Sequence, residues 1–185
     1  EVKVIGSLKD LQRHVRSSGN RYLVTRHGEA ESNLNFTVRT DVTVGDPLTE
    51  KGVAQVKAAT EKLKKEKIDL IYVSPFSRTR ETAEMIRIEL GLTPEAVIVD
   101  ARIKEMHAGA ALQGKSWNEY AASYPDFEAE YTTHISNDSE NRRDMQTRVG
   151  EFLFELEAKY ENKTVLVVGH NSSSFAFASA AAGVP

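Results

Sequence analysis

The fold is decided by the stretch Arg21-Tyr-Leu-Val-Thr-Arg-His-Gly-Glu-Ala-Glu-Ser-Asn33. The β-branched and aromatic run after Arg21 predicts a buried strand, and Gly28 interrupts that run directly after Arg26 and His27. In open parallel α/β sheets, ligands bind at the carboxyl ends of the strands. The stretch therefore predicts an anion site in which a guanidinium and an imidazole lie together, and phosphate is the anion we expect.

Three further apolar runs predict strands, and amphipathic segments separate them. The predicted strands after the first are 68–73, 96–99 and 164–168, and the long helices are 49–67, 77–90, 142–160 and 172–182. A shorter helix begins at Ser116 and carries three aromatic residues before Pro125, and 35–45 is an irregular excursion over the pocket. Strands that alternate with long helices are typical of right-handed βαβ units, so we predict an α/β fold with a parallel sheet.

Chemically active residues follow each predicted strand. Parallel strands present their carboxyl ends at one edge of a sheet, so these residues can meet although they are distant in sequence. In chain order they are Arg26 with His27, then Arg78, Glu105 and His170. Any one of these residues could have a purely structural role. It is their occurrence at the ends of all four predicted strands that predicts a single site.

Phosphoryl transfer is the chemistry that suits this set, because it depends on positioning and on stabilising charge over the phosphoryl oxygens. Arg26 and Arg78 can each donate two parallel hydrogen bonds to phosphate, and His170 is a third donor, protonated when the dianion is bound. His27 is the expected nucleophile, with its other nitrogen donating to a backbone carbonyl near Gly28. Glu105 is expected to protonate the leaving group and then to deprotonate water.

Four sequence motifs together resemble those of the histidine phosphatase superfamily, branch 1, the phosphoglycerate mutase-like proteins. They are Arg26-His-Gly28 with Asn33, Ser74-Pro-Phe-Ser-Arg78 with Glu81-Thr-Ala83, Arg102-Ile-Lys-Glu105, and Gly169-His170, and the stretch from Asp46-Pro-Leu-Thr49 onward resembles a further landmark. The resemblance covers roughly residues 21–185. It implies a three-layer α/β/α sandwich with a mainly parallel central sheet, a phosphohistidine intermediate at His27, and Asn33 as an additional phosphate or substrate contact.

The sequence departs from the pattern of that family at three places. After Glu105, family members commonly have an aromatic and acidic turn, and this chain has Met106 to Gly114 instead. After His170, a Gly-rich helix start is usual, and this chain has Asn171 to Ser174. Family members also continue with a further strand beyond the Gly-x-Pro at 183–185. The first departure changes the wall beside the acid and therefore bears on substrate choice.

Size and composition predict one domain over residues 1–185, with an extra N-terminal helix within 1–20 indicated by Leu8, Leu11 and Val15. The chain has 185 residues, 40% of them hydrophobic, a net charge of -3 and no cysteine, so thiolate chemistry and disulfides are excluded. No apolar run approaches the roughly 20 residues that span a bilayer. We expect a cytoplasmic protein with a small phosphorylated substrate and neither nucleic-acid nor membrane partner. Its first residue, Glu1, suggests a larger parent polypeptide.

The leading functional hypothesis is a metal-independent phosphatase acting on a small phosphomonoester. No cofactor is expected, because the arginines and His170 supply the positive charge that a metal ion would bring. A phosphoglycerate mutase is the second hypothesis. It ranks lower because mutases that resemble this family tend to carry an extra segment after the glutamate that corresponds to Glu105, and this sequence shows no such insertion. A module that binds phosphorylated ligands or a partner protein without turnover is the third, and phosphohistidine transfer between proteins is weaker still. The particular phosphomonoester cannot be inferred from the sequence.

Overall fold

The structure is a computed structural model that describes residues 18–182. The predicted N-terminal helix around Leu8, Leu11 and Val15 lies outside the described residues. Within residues 18–182, no helix combines the length and the apolar character needed to cross a membrane.

A four-stranded parallel sheet forms the centre of the part of the chain that the structure describes. Its strands are β1 (Arg21–Arg26), β2 (Leu70–Val73), β3 (Val97–Val99) and β4 (Thr164–Gly169), in the spatial order β1-β4-β2-β3. The register pairs Arg26 with Gly169 and Val73 with Val168, so the carboxyl ends of the three adjacent strands lie level at one edge. The predicted parallel sheet is confirmed.

Seven α-helices connect and flank the strands in the described part of the chain. They are α1 (Glu31–Leu34), α2 (Glu50–Leu63), α3 (Ser77–Glu89), α4 (Trp117–Ala122), α5 (Phe127–Thr132), α6 (Arg142–Lys159) and α7 (Asn171–Ala182), with single 3-10 turns at Pro94–Ala96, Ala101–Ile103 and Ala110–Leu112. Thr49 caps α2 as the sequence predicts, since its Oγ1 accepts from the backbone N–H of Gly52 at 3.0 Å.

Two hydrophobic cores on opposite faces of the sheet make the three layers. Side chains alternate along the central strand β4, so Val165 and Val167 point to one core and Leu166 and Val168 to the other. The first core is completed by residues of α6 and α7, including Phe152, Leu153, Leu156 and Phe177. The second is completed by residues of α2 and α3, including Val56, Ala83 and Ile86. The predicted three-layer α/β/α sandwich is therefore confirmed.

Two helices end earlier than the sequence pattern predicts. Helix α2 stops at Leu63 rather than at residue 67, because the chain turns there: Glu66 donates to the carbonyl of Leu63 and Lys67 adopts a positive φ of 47°. Helix α4 stops at Ala122, so Tyr124 lies outside it. The residue before a proline is disfavoured in helical conformation, and Pro125 follows Tyr124 directly.

The excursion at 35–45 lies against the 113–117 segment rather than standing free. Val38 donates its backbone N–H to the carbonyl of Lys115 at 2.8 Å, and Gly114 donates to the carbonyl of Val38 at 2.9 Å. The side-chain oxygen of Gln113 accepts from the backbone N–H groups of Thr40 and Asp41 at 2.7 and 3.1 Å. The two segments therefore form one continuous wall above the sheet edge.

Candidate active site

The carboxyl edge of the sheet brings the predicted site residues together. His27 follows β1 and donates its backbone N–H to the carbonyl of Gly169 at 3.1 Å, which sets it beside His170 at the end of β4. Five of the six predicted residues border one cavity of about 340 Å³: Arg26, His27, Asn33, Arg78 and Glu105. The sixth, His170, lies behind this wall with no exposed surface.

Arg78 is the residue that links the others, although only 4% of its surface is exposed. Its Nε donates to Nε2 of His27 at 3.1 Å, and one terminal nitrogen, Nη2, lies 3.2 Å from Nδ1 of His170. The other, Nη1, forms an ion pair with Asp46 at 2.9 Å. The guanidinium also stacks on the ring of Phe76, 4.4 Å from its centroid. One buried cation therefore contacts both imidazoles.

His27 is held as a neutral imidazole in one tautomer. Its Nδ1 lies 2.6 Å from the carbonyl oxygen of Gly28, so Nδ1 carries the proton, and Nε2 accepts from Arg78. Burial, and next the adjacent Arg78 guanidinium, lower the pKa of His27 from its ordinary value of 6.5 to about 3. The structure thus places the unprotonated Nε2 at the cavity wall, and the predicted hydrogen bond to Gly28 is present.

His170 is also neutral in this geometry. Its Nε2 lies 2.8 Å from the hydroxyl of Ser74 and its Nδ1 accepts from Arg78. Complete burial, reinforced by the positive charge of Arg78, keeps the pKa of His170 well below its ordinary value. The ring centroids of His27 and His170 are 5.3 Å apart. Because His170 contacts Arg78 and does not border the cavity, its role as a third phosphate donor stays a prediction.

Glu105 borders the cavity at the end of a short, anchored turn. Its Oε1 accepts from the backbone N–H of Met106 at 2.9 Å. Arg148 on α6 donates to the backbone carbonyls of Arg102, Lys104 and Glu105 at 2.6, 3.0 and 3.2 Å. Arg148 is itself paired with Glu140 at 2.7 Å. This network fixes the backbone that carries the expected proton donor.

Arg26 and Asn33 reach the same cavity from either side of the turn after β1. Arg26 is exposed and lies at the end of the strand. The side-chain oxygen of Asn33 accepts from the backbone N–H of Ala30 at 2.9 Å, which leaves its amide nitrogen as the group that can donate to a ligand. Both residues border the cavity, and their contact to substrate stays a prediction.

Asp46 is a site residue that sequence reasoning missed. It is 1% exposed and accepts from the backbone N–H and the hydroxyl of Ser32 at 2.9 and 2.7 Å, in addition to its ion pair with Arg78. The signal was its place directly before Pro47-Leu48-Thr49, in the stretch that resembles a family landmark. An irregular loop gives no periodicity from which its inward direction could be inferred.

Over residues 18–182, no group of three or more His, Asp or Glu side chains is arranged to hold a metal ion. Metal independence itself stays a prediction.

Comparison with known proteins identifies the family. The profile of the histidine phosphatase superfamily (branch 1) matches residues 22–185. The chain therefore belongs to the histidine phosphatase superfamily, branch 1, as the motifs predict.

Individual relatives carry both phosphatase and mutase names. The chain is 30% identical over 162 residues to a metal-independent phosphoserine phosphatase of Arabidopsis thaliana, covering 84% of this chain and 66% of that protein. It is 30% identical over 166 residues to a 2,3-bisphosphoglycerate-dependent phosphoglycerate mutase of Bartonella tribocorum, covering 84% of this chain and 78% of that protein. The chain thus spans about two thirds of the length of the Arabidopsis relative.

The solved structure of a mycobacterial glucosyl-3-phosphoglycerate phosphatase is also similar. It superposes with a TM-score of 0.71 at 26% identity, covering 86% of this chain and 83% of that one. This similarity confirms the fold.

The depressed histidine pKa values predict that stability falls in acid. The unfolded chain binds protons at His27 below about pH 6.5, whereas the folded protein resists protonation down to about pH 3. The contribution of neutral His27 to the free energy of unfolding is therefore fully present above pH 6.5, and it decreases as the pH falls toward 3. His27 alone should account for about 2 kcal/mol between pH 8 and pH 5. Urea unfolding of wild type and His27→Gln at both pH values should show a smaller decrease in the variant; equal decreases would contradict the assignment.

Substituting Asp46 should damage both stability and the site. Asp46→Asn removes the carboxylate that compensates the buried Arg78 guanidinium, so we expect a loss of about 3–5 kcal/mol in the free energy of unfolding. Glu61→Gln is the matched control, because Glu61 pairs with Lys64 at the surface and should matter by less than about 1 kcal/mol. Urea denaturation measures both variants, and an Asp46→Asn protein as stable as Glu61→Gln would overturn this account of Arg78.

Proposed function

We propose that this protein is a phosphatase that hydrolyses a small phosphomonoester without a metal ion, through a phosphohistidine at His27. Its family membership and the phosphatases among its relatives support phosphatase activity. The observation that carries the proposal is the state of His27. Its imidazole is neutral, its proton is fixed on the Gly28 side, and its unprotonated Nε2 lies against a guanidinium at the cavity wall.

Arg26 and Arg78 bind the phosphate dianion in this proposal. In the structure, Arg78 donates to Nε2 of His27 and to Nδ1 of His170. When phosphate binds, its oxygens replace these nitrogens as the acceptors of Arg78. The phosphate then lies next to Nε2 of His27, the nucleophile. Preorganised donors of this kind stabilise the charge that spreads over the phosphoryl oxygens during transfer. The amide nitrogen of Asn33 can add a further hydrogen bond.

The first step transfers the phosphoryl group to the enzyme. Nε2 of His27 attacks phosphorus, the bond between phosphorus and the leaving oxygen breaks, and Glu105 gives that oxygen a proton. The imidazolium character that His27 gains is stabilised by the carbonyl of Gly28, which accepts from Nδ1 at 2.6 Å. Arg78 and Arg26 remain on the phosphoryl oxygens throughout.

The second step returns the enzyme to its starting state. Glu105, now deprotonated, takes a proton from water as the water oxygen attacks phosphorus. The bond between phosphorus and Nε2 breaks, its electron pair returns to His27, and inorganic phosphate leaves. Each step needs one proton transfer by the same carboxyl, which is the acid-base pattern expected of a residue anchored at the cavity wall.

A mutase would use the same first step and return the phosphoryl group to a phosphoglycerate. The relative from Bartonella keeps this alternative open. Supplying bisphosphoglycerate and 3-phosphoglycerate discriminates between the two, because a mutase interconverts the phosphoglycerate isomers while a phosphatase releases inorganic phosphate. A binding module without turnover would do neither.

The direct test is hydrolysis of an aryl phosphate between pH 5.5 and 7.5 in the presence of EDTA. We expect EDTA-resistant activity in wild type and a loss of roughly 1,000-fold or more in His27→Ala, because the substitution removes the imidazole that attacks phosphorus. His134→Ala is the matched control: this exposed histidine pairs with Asp144 and lies outside the cavity, so its loss should leave activity within about twofold. Unchanged activity in His27→Ala, or abolition by EDTA, would contradict the proposal.

A further inference from the structure

The side chain of Arg148 on α6 uses each of its N–H donors inside the protein. Nε and Nη2 donate to the two carboxylate oxygens of Glu140, at 2.7 and 2.8 Å. Nη1 donates to the backbone carbonyls of Arg102 and Lys104, and Nη2 donates also to that of Glu105. A guanidinium has five N–H groups in one plane, and these bonds engage all of them. Arg148 is therefore committed to Glu140 and to the turn that carries Glu105.

The pair of Arg148 and Glu140 is mostly buried and internally neutral. The side chains are 13% and 18% exposed. Burial alone would raise the pKa of Glu140, but the hydrogen bonds and the charge of Arg148 outweigh it and hold that pKa below its ordinary value. Two parallel bonds between a guanidinium and a carboxylate fix the direction of both groups. Because the two charges compensate each other, the pair acts on Glu105 chiefly through geometry.

Glu140 also holds the chain on the other side of Glu105. Its Oε2 accepts from the backbone N–H of His107 at 2.9 Å, and its own backbone N–H donates to the carbonyl of His107 at 2.7 Å. Arg148 thus holds the chain up to the carbonyl of Glu105, and Glu140 holds it again two residues later.

The direction of the Glu105 carboxyl depends on this clamped backbone. Its Oε1 accepts from the backbone N–H of Met106 at 2.9 Å, and Met106 lies between the two held positions. An oxygen that accepts an N–H is not the one that carries the acid proton, so that proton resides on Oε2. A general acid must reach the leaving oxygen within hydrogen-bond distance, and a misplacement of about 1 Å can cost on the order of 100-fold in rate.

We propose that Arg148, paired with Glu140, is a positioning residue for proton transfer by Glu105. This rests on the proposed function, because it concerns the proton transfers of that reaction. Arg148 is not among the residues that border the cavity, so it acts through the backbone of Glu105 and not on the substrate. Lysine cannot take its place, since an ammonium group has three donors and no plane in which to hold a carboxylate and three carbonyls together.

Substrates with different leaving groups separate proton transfer from the rest of the reaction. The leaving group of 2,4-dinitrophenyl phosphate is a weak base that departs without a proton, whereas that of phenyl phosphate needs one. We expect Arg148→Lys to lower kcat/KM for phenyl phosphate by roughly 10- to 100-fold and for 2,4-dinitrophenyl phosphate by less than about threefold. An equal decrease for both compounds would overturn the proposal, because the arginine would then support the structure in general.

Arg87→Lys is the matched control. Arg87 on α3 pairs with both carboxylate oxygens of Glu84 at 2.7 and 2.6 Å, and it donates to the carbonyl of Leu92 at 2.7 Å. Its side chain is 17% exposed, which is close to the value for Arg148, and it does not border the cavity. The control variant should keep kcat/KM within about twofold for both compounds. The same leaving-group dependence in Arg87→Lys would contradict the proposal.

A double variant shows whether Arg148 acts through Glu105. Glu105→Gln removes the proton donor itself. Adding Arg148→Lys to it should lower kcat/KM for phenyl phosphate by less than about threefold, because the group that Arg148 positions is already gone. Losses that multiply would overturn the proposal. Glu140→Gln keeps the arginine and should show the same dependence on the leaving group in smaller measure, which provides the test if Arg148→Lys does not fold; equal losses on both compounds would again contradict it.

Amide hydrogen exchange examines the turn without relying on activity. We expect the backbone N–H groups of Met106 and His107 to exchange roughly 10-fold or more faster in Arg148→Lys than in wild type, while Arg87→Lys matches wild type at both. Unchanged exchange in Arg148→Lys would overturn the proposal. A wild-type protein that hydrolyses neither aryl phosphate would refute the proposed function alone, and the exchange rates would then still decide whether Arg148 holds the turn.

Discussion

A buried guanidinium charge is the constraint on which the rest of the structure depends. Arg78 is almost entirely removed from water, and taking a charged group out of water costs several kcal/mol unless other groups compensate it. Asp46 supplies the opposite charge, and the ring of Phe76 supplies a polarisable surface. The same guanidinium donates one hydrogen bond to a ring nitrogen of His27 and another to a ring nitrogen of His170. Burial, together with this charge, lowers the pKa of both imidazoles and keeps them neutral, so Arg78 contributes to the protonation state of both histidines.

Close backbone packing fixes the turn after β1 beside the guanidinium of Arg78. A side chain on Gly52 would begin 2.0 Å from the carbonyl oxygen of Glu29, and one on Gly28 would begin 2.6 Å from the carbonyl of Gly52. Helix α2 can therefore approach the turn only because both positions are glycine. The hydroxyl of Thr82 accepts the backbone N–H of Gly28 at 3.1 Å and ties the turn to α3. His27 is thus fixed from two sides before any ligand binds.

Much of the fold and of the site composition could be predicted, because each depends on local patterns. The apolar runs and their helical neighbours gave the parallel sheet, and a parallel sheet necessarily brings His27, Arg78 and Glu105 to one edge. The strand order β1-β4-β2-β3 could not be predicted, since the alternation of elements does not say beside which strand a crossover returns. Asp46 was missed because its direction is set by a loop that folds back onto Ser32.

Burial was the other property that the sequence did not reveal. The sequence does not show that His170, whose role as a phosphate donor stays a prediction, is fully buried next to Arg78 with its Nε2 against Ser74. Sequence position determines that a residue lies at a strand end, whereas its depth depends on how the flanking helices pack over that end. The sequence also does not reveal the wall formed by residues 35–45 and 113–117, because that wall forms only when two segments distant in sequence pair.

Trapping the phosphoenzyme tests the central claim most directly. Wild type and His27→Ala would each be mixed with substrate, quenched in alkali within a single turnover, digested and examined by mass spectrometry. The account predicts one phosphoryl group on the peptide that contains His27 in wild type, stable in alkali and lost in acid, with none in the variant. A phosphoryl group on another residue, or turnover in wild type without any phosphoryl group on His27, would contradict it.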